Sequence, residues 1–243
     1  FVHGALCMSV SGQCYFSAML GGRSGNRGLC AQTCRLPFAP TGDTPRPATA
    51  NQAALSLKDN CLLAYVGELA QMGVTSLKIE GRNRNAQYVS TATKAYRTAR
   101  DFWLDNSEAP DFGTKFGELK TELLKSLSEN FNRGFSAGFY MGKPAGDWTS
   151  DGNRASVKKL IVGRIKNYLP KIGVAEIVVD DHAVKIGDTL CVEGNTTGYL
   201  QFELESAQID SAAVSEIRKG QTAAIKIPSK VRPNDRIYLL AKI

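Results

Sequence analysis

The 243-residue sequence predicts an α/β region, a partial β/α-barrel fragment, followed by a small all-β barrel. Three observations carry that reading. Residues 74–79 read as a strand that ends in Glu80-Gly81-Arg82, and an apolar stripe at helical spacing follows over 85–104. Past a Gly-, Asp- and Ser-rich stretch at 144–153, the period changes to short β-branched segments divided by turn residues. The opening stretch is rich in cysteine and glycine and contains no Asp or Glu before Asp43, so it reads as a loop built around something other than a packed apolar core.

Composition narrows the class. With 43% hydrophobic and 22% charged residues the chain has ordinary globular composition, and its length suits two domains. No uninterrupted apolar run of membrane-spanning length and no secretory signal is present, which predicts no membrane partner and a cytoplasmic location with reduced cysteines. A formal net charge of +7 permits a polyanionic partner.

Taken in order, residues 1–6 read as a strand that delivers Cys7 into a loop, and residues 15–20 as a short helical turn. Pro37, Pro40, Pro45 and Pro47 make an extended connection, because each lacks an N–H and restricts the residue before it. Asp59 or Asn60 is placed to cap a helix over 61–72, stopped by Gly73. That helix would put Cys61 on its first turn, where free N–H groups lower thiol pKa. The strand at 74–79, its polar tip and the helix at 85–104 form the unit of a β/α barrel, whose chemistry sits on loops following strands. Glu80 and Arg82 are therefore candidate catalytic residues; the plainer alternative is a surface ion pair at a helix start.

An eight-stranded barrel needs roughly 200 residues or more, and about two such units precede Phe112. Residues 1–146 are expected to form an incomplete barrel whose uncovered apolar face meets a second copy of the chain. A second amphipathic helix covers 116–128, and the Gly- and aromatic-rich stretch 132–140 suits either a pocket cover that stacks on a base or plain packing. A linker over 147–157 leads to a barrel over 158–243, with strands at 158–168, 174–179, 189–192, 200–204, 222–227 and 236–240. Cys191 falls on one of them as core, and Lys158, Lys159, Arg164 and Lys166 give the first strand a basic edge.

Four of the six cysteines, Cys7, Cys14, Cys30 and Cys34, fall at intervals of 7, 16 and 4. Free cysteines in a core, disulfides and a metal site compete for them. A chain of this size can bury a core without disulfides. Two Cys-x-x-Cys units, as in a zinc ribbon, are absent. Glycines 21, 22, 25 and 28 suit a backbone folded tightly around an iron–sulfur core, and Arg23, Arg27 and Arg35 set a positive field that favours thiolates and an anionic visitor.

The run Gly4-Ala5-Leu6-Cys7, then Gly12-Gln13-Cys14-Tyr15-Phe16-Ser17, then Gly22-Arg23-Ser24-Gly25-Asn26-Arg27-Gly28 with Cys30-Ala31-Gln32 and Cys34-Arg35, resembles the signature of the collagenase-like peptidases, peptidase family U32. Leu57-Lys58-Asp59-Asn60-Cys61, Leu77-Lys78-Ile79-Glu80-Gly81-Arg82, Asn132-Arg133-Gly134-Phe135 and Gly138-Phe139-Tyr140 agree in the same order. The likeness is close over about the first 145 residues and looser after them. In that family the motif lies well inside the protein, so the chain is expected to be a C-terminal portion.

The resemblance implies oxygen-independent hydroxylases that act on the wobble uridine of tRNA, on a cytidine of large-subunit rRNA, or in ubiquinone synthesis. Such enzymes carry a 4Fe–4S cluster on cysteines, and in the RNA branch take the hydroxyl from prephenate. The peptidase name rests on collagenase activity in a few members. Carried onto this sequence, Cys7, Cys14, Cys30 and Cys61 are the expected cluster ligands, with Cys34 as substitute. Glu80 and Arg82 shape the pocket, Arg82 holding the carboxylate of a small donor, and Arg23, Arg27, Arg35 and Lys78 contact tRNA or rRNA. The turns at 186–188 and 233–235 resemble the barrel of translation-factor second domains, which implies an RNA-contacting module. A peptidase would need a base, for which the chain offers only His3 and His182. An inactive RNA-binding fragment is the third class.

Overall fold

The computed structural model describes residues 1–10, 12–38, 53, 55–82, 84–142, 149 and 152–243. The proline-rich connection and the Gly-, Asp- and Ser-rich linker fall for the most part outside the described residues. The chain divides into two compact units, residues 1–83 with 91–155 and residues 84–90 with 156–243. No helix among the described residues is long and apolar enough to cross a membrane.

In the first unit, β1 (His3–Ala5), β2 (Asp59–Cys61) and β3 (Phe135–Ser136) form a three-stranded sheet in the order β1-β2-β3. Strand β1 runs antiparallel to β2 in the register His3↔Cys61, Gly4↔Asn60, Ala5↔Asp59, and β2 runs parallel to β3. Helices α1 (Phe16–Gly21), α2 (Val66–Gln71), α3 (Ala86–Asn106) and α4 (Phe112–Ser128) complete the unit, although the first residues of α3 group with the second unit. Spacing explains the long helices: Ala92, Ala95, Tyr96 and Ala99 of α3 and Phe116 and Leu127 of α4 are buried against Leu62, Leu63 and Val66.

Two expectations fail here. The helix expected over 61–72 begins only at Val66, because Asp59 and Asn60, its anticipated caps, are taken up by tertiary contacts. Asp59 accepts from Arg133, and the Asn60 amide donates to the Phe1 carbonyl at 3.2 Å. Cys61 therefore ends a strand, and Gly73 (φ +73) still closes the helix that follows. The strand expected at 74–79 is reduced to one parallel bridge between His3 and Ile79, flanked by Val2 N–H to Lys78 C=O and Glu80 N–H to His3 C=O, both 2.9 Å. Its backbone meets a single neighbour over too few residues to build a ladder. Among the described residues no barrel closes in this unit.

The second unit holds ten strands: β4 (Val157–Leu169), β5 (Val174–Val179), β6 (Val184–Lys185), β7 (Thr189–Gly194), β8 (Gly198–Glu203), β9 (Ala207–Ile209), β10 (Ala212–Ala213), β11 (Glu216–Ile217), β12 (Thr222–Lys226) and β13 (Arg236–Lys242). Eight of them form an antiparallel sheet in the order β10-β9-β12-β5-β4-β13-β7-β8, and β11-β6 is a separate ribbon. The expected barrel is thus corrected to an open sheet. Its end strands, β8 and β10, differ in length by 6 residues to 2 and share no ladder. The sheet nonetheless bends around one core: register shifts at Ile165/Asn167 in β4 and Ile237/Tyr238 in β13 mark bulges that increase local curvature. Ile165, Ile177, Leu190, Leu204, Ile225 and Ile237 fill that core, with Val184 and Ile217 from the ribbon.

Candidate cysteine-loop site

Strand β1 ends at Ala5 and releases Cys7 into the loop region that carries Cys14, Cys30 and Cys34. Cys7 and Cys30 are exposed, and Cys14 and Cys34 partly so. Burial pushes the Cys34 thiol up, the adjacent Arg35 guanidinium pulls it back, and Cys30, Cys7 and Cys14 push it up again. Contacts tie the loop together: Arg35, next to Cys34, donates to the carbonyl of Leu6, next to Cys7, and Ser17, three residues past Cys14, has its hydroxyl 3.8 Å from Cys30 Sγ.

Cys61 stands apart. Its thiol is buried in the apolar core, with the Tyr96 hydroxyl 3.7 Å from Sγ, and that hydroxyl donates to the Val2 carbonyl at 2.8 Å. Burial pushes its pKa up, against the lowering expected from a helix start; the Leu63 N–H and the Tyr96 hydroxyl offset this in part. Cys61 faces His3 across the β1–β2 pair, and Cys7 lies two residues beyond the end of β1.

Backbone amides and a hydroxyl surround Cys30. The Gln32 N–H points at Cys30 Sγ at 3.3 Å, and the Ser17 hydroxyl of α1 lies 3.8 Å from the same sulfur while accepting the Ala31 N–H at 3.1 Å. Ser17 and Gln32 had no motif-independent signal in the sequence. As placed, no three His, Cys, Asp or Glu side chains among the described residues converge as the ligands of a single ion. A four-iron cluster makes a different demand, since each cysteine binds a different iron and the sulfurs stand further apart. Four cysteines on one loop, with the Gln32 N–H aimed at Cys30 Sγ, suit such a group.

Glu80 and Arg82 lie against this loop. Glu80 Oε1 accepts the Arg82 N–H at 2.9 Å, which fixes the turn. The Arg82 guanidinium rests on Gly28 (φ +75), where a Cβ would meet Nη1 at 2.9 Å. Gly4 (φ +135) gives the same close approach to Glu80, whose Cβ would be 2.7 Å from an added methyl. Arg82 thereby brings an exposed cation to the segment between Cys14 and Cys30.

The expected RNA contacts divide. Arg23, Arg27 and Lys78 are exposed. Arg35 turns inward: its Nη2 donates to the Leu6 carbonyl at 2.8 Å and its Nη1 to the Ser56 hydroxyl at 2.9 Å and to the Leu57 carbonyl, which staples the loop instead of offering it a free cation. In the second unit the basic edge is largely neutralised, with Lys159 paired to Glu193 at 2.8 Å, Arg164 to Asp180 at 2.9 Å and Lys166 near Glu176 at 3.8 Å. His3 is 1% exposed and packs on the rings of Tyr96 and Phe135, at 5.5 and 5.8 Å between centroids. His182 is exposed, and Cys191 in its unit is buried with its thiol pushed up to about 12 by burial.

A loop that carries four cysteines, with the exposed Arg82 laid against it at Gly28, is the candidate site of the first unit. The chain belongs to peptidase family U32, whose model matches residues 1–150. It is 34% identical over 243 residues to a collagenase of Porphyromonas gingivalis, covering 100% of this chain and 65% of that protein. It is 48% identical over 101 residues to a 23S rRNA 5-hydroxycytidine synthase of Escherichia coli, covering 42% of this chain and 16% of that protein. A tRNA hydroxylation protein of Bacillus subtilis is 36% identical over 118 residues, 44% of this chain and 27% of that protein. The chain spans 58% to 65% of the length of the curated relatives that it matches end to end.

Proposed function

We propose that this protein is an iron–sulfur-dependent, oxygen-independent hydroxylase of a pyrimidine in RNA, with a prephenate-like carboxylate as hydroxyl donor. The observation that carries the reading is a loop that ties Cys7, Cys14, Cys30 and Cys34 together, in a segment with no acidic residue and with Arg82 laid against it. These four cysteines would hold a 4Fe–4S cluster, Cys34 taking the place expected for Cys61. When bound, the cluster would supply a redox-active centre beside the donor. Arg82 grips a donor carboxylate through two parallel N–H···O bonds, and Glu80 holds the turn that presents Arg82. Arg23, Arg27 and Lys78 neutralise RNA phosphates. The wobble uridine of tRNA is the preferred substrate, and a cytidine of large-subunit rRNA is the alternative that similarity to the rRNA 5-hydroxycytidine synthase supports.

A peptidase is the second reading, and end-to-end similarity to a protein named collagenase favours it. Against it, His3, the histidine close to a cysteine in sequence, is enclosed by aromatic rings, and the exposed histidine, His182, belongs to the second unit. Nucleoside mass spectrometry of total tRNA and rRNA from a strain without the full-length protein tests the choice. The hydroxylase reading expects loss of a hydroxylated pyrimidine, restored by the wild type but not by Cys14→Ala or Arg82→Ala. An unchanged nucleoside profile, with gelatin cleavage that survives removal of iron, places the peptidase first.

A further inference from the structure

Gln32 ties the cysteine loop to the interior of its unit. It is a non-glycine residue at φ +54, a left-handed conformation that is strained for a residue with a Cβ and persists only where the surroundings over-determine it. Two contacts do so. The Gln32 N–H meets Cys30 Sγ at 3.3 Å, and the side-chain oxygen Oε1 accepts from Arg133 Nη2 at 3.1 Å.

Arg133 is itself locked. Its Nη1 pairs with Oδ1 of the fully buried Asp59 at 3.2 Å, its backbone N–H donates to Oδ2 of the same carboxylate at 3.2 Å, and its guanidinium lies 4.9 Å from the centre of the Phe131 ring. One guanidinium thus joins a buried carboxylate on β2 to a side chain of the cysteine loop. The amide of that same loop residue faces a candidate ligand sulfur.

Resting on the function proposed above, we propose that Gln32 is a positioning residue. The Arg133–Asp59 pair holds it left-handed so that its N–H caps the Cys30 sulfur, and this cap sets how tightly, and at what potential, the loop holds an iron–sulfur cluster. Hydrogen bonds to cluster sulfurs favour the reduced, more negative state, and outer contacts of this kind are worth about 10- to 100-fold in metal affinity.

The test compares Gln32→Ala, Gln32→Gly and Gln32→Glu in the full-length protein, reconstituted anaerobically, by the rate of iron release to a ferrous chelator and by the midpoint potential, with circular dichroism of the iron-free proteins to confirm folding. Gln32→Ala loses both the Arg133 contact and ease in the left-handed region; it is expected to release iron about tenfold faster, at the lower end of that range, and to shift to a more negative potential. Gln32→Gly keeps the backbone freedom and falls between. Gln32→Glu keeps an acceptor for Arg133 and behaves as wild type. A Gln32→Ala protein that matches wild type in both readouts overturns the inference, as does Gln32→Glu impaired equally with Gln32→Ala. If Gln32→Ala does not fold, equal iron release by the Gly and Glu variants overturns it. A wild type that takes up no iron removes the cluster reading and this inference together, whereas a loaded wild type with indifferent variants removes this inference alone.

Discussion

The two units bury different things. In the second, Val162, Ile165, Ile177, Leu190, Leu204, Ile217 and Ile225 are at most 1% exposed, and the one buried charge, Asp235, accepts the Arg232 N–H at 2.8 Å within its own turn. The first unit buries His3, Ser17, Thr33, Asp59, Asn60, Asn130, Asn132 and Arg133 alongside its aliphatic core. An apolar interior stabilises a sheet; a polar interior fixes loops in one geometry, since each buried polar group must find its partner. The first unit has the composition of a scaffold for a site, and the second that of an ordinary folded module.

Breaking the buried pair tests this contrast most severely. Arg133→Met leaves the Asp59 carboxylate buried without its charged partner and is expected to cost about 3–5 kcal/mol, lowering the thermal transition of the first unit and leaving that of the second in place. The double variant Asp59→Leu with Arg133→Met should recover much of the loss, because removing both charges removes the desolvation penalty as well. A loss under about 1 kcal/mol for the single variant, on the scale of an exposed pair, would erase the distinction. In the other unit, Leu190→Ala should cost about 2–5 kcal/mol through a cavity, read by urea unfolding, with iron content unchanged.

A smaller effect is read by pH in the second unit. Burial raises the folded-state pKa of Cys191 from 9.0 to about 12 and pushes Tyr199 up as well. The folded protein keeps a proton that the unfolded chain releases, so this contribution is complete below pH 9 and is lost as pH rises toward 12. The urea midpoint of the second unit should therefore fall between about pH 9 and 11, and Cys191→Ala should flatten the fall. An identical slope in wild type and variant would assign the loss to other groups.

Much of this was legible in the residues. β-Branched segments divided by turn residues revealed the six longer strands of the second unit, and helical spacing revealed α3 and α4. Strands β6, β9, β10 and β11 have two or three residues each, too few to show a period. Closure of a sheet depends on which end strands meet, a property of the whole sheet that no local pattern carries. The segment at 59–61 misled because Asp59 and Asn60 are good helix caps locally, yet their tertiary partners lie at Arg133 and Phe1. Arginine in a basic stretch reads as surface charge, and nothing in the spacing says that Arg35 faces carbonyls or that Arg133 faces a carboxylate. Cysteine spacing likewise left Cys34 and Cys61 as alternatives; burial sets them apart, Cys61 being enclosed in the core and Cys34 only partly so.

That separation is also the most direct test of the account. Iron and acid-labile sulfide are measured in anaerobically purified full-length protein, wild type and with Cys7→Ala, Cys14→Ala, Cys30→Ala, Cys34→Ala or Cys61→Ala. The account predicts about four irons and four sulfides per chain in the wild type, loss of most of both in the first four variants, and retention in Cys61→Ala. Retention in Cys34→Ala with loss in Cys61→Ala would contradict the ligand set drawn from the fold, and a wild type that binds no iron would contradict the account as a whole.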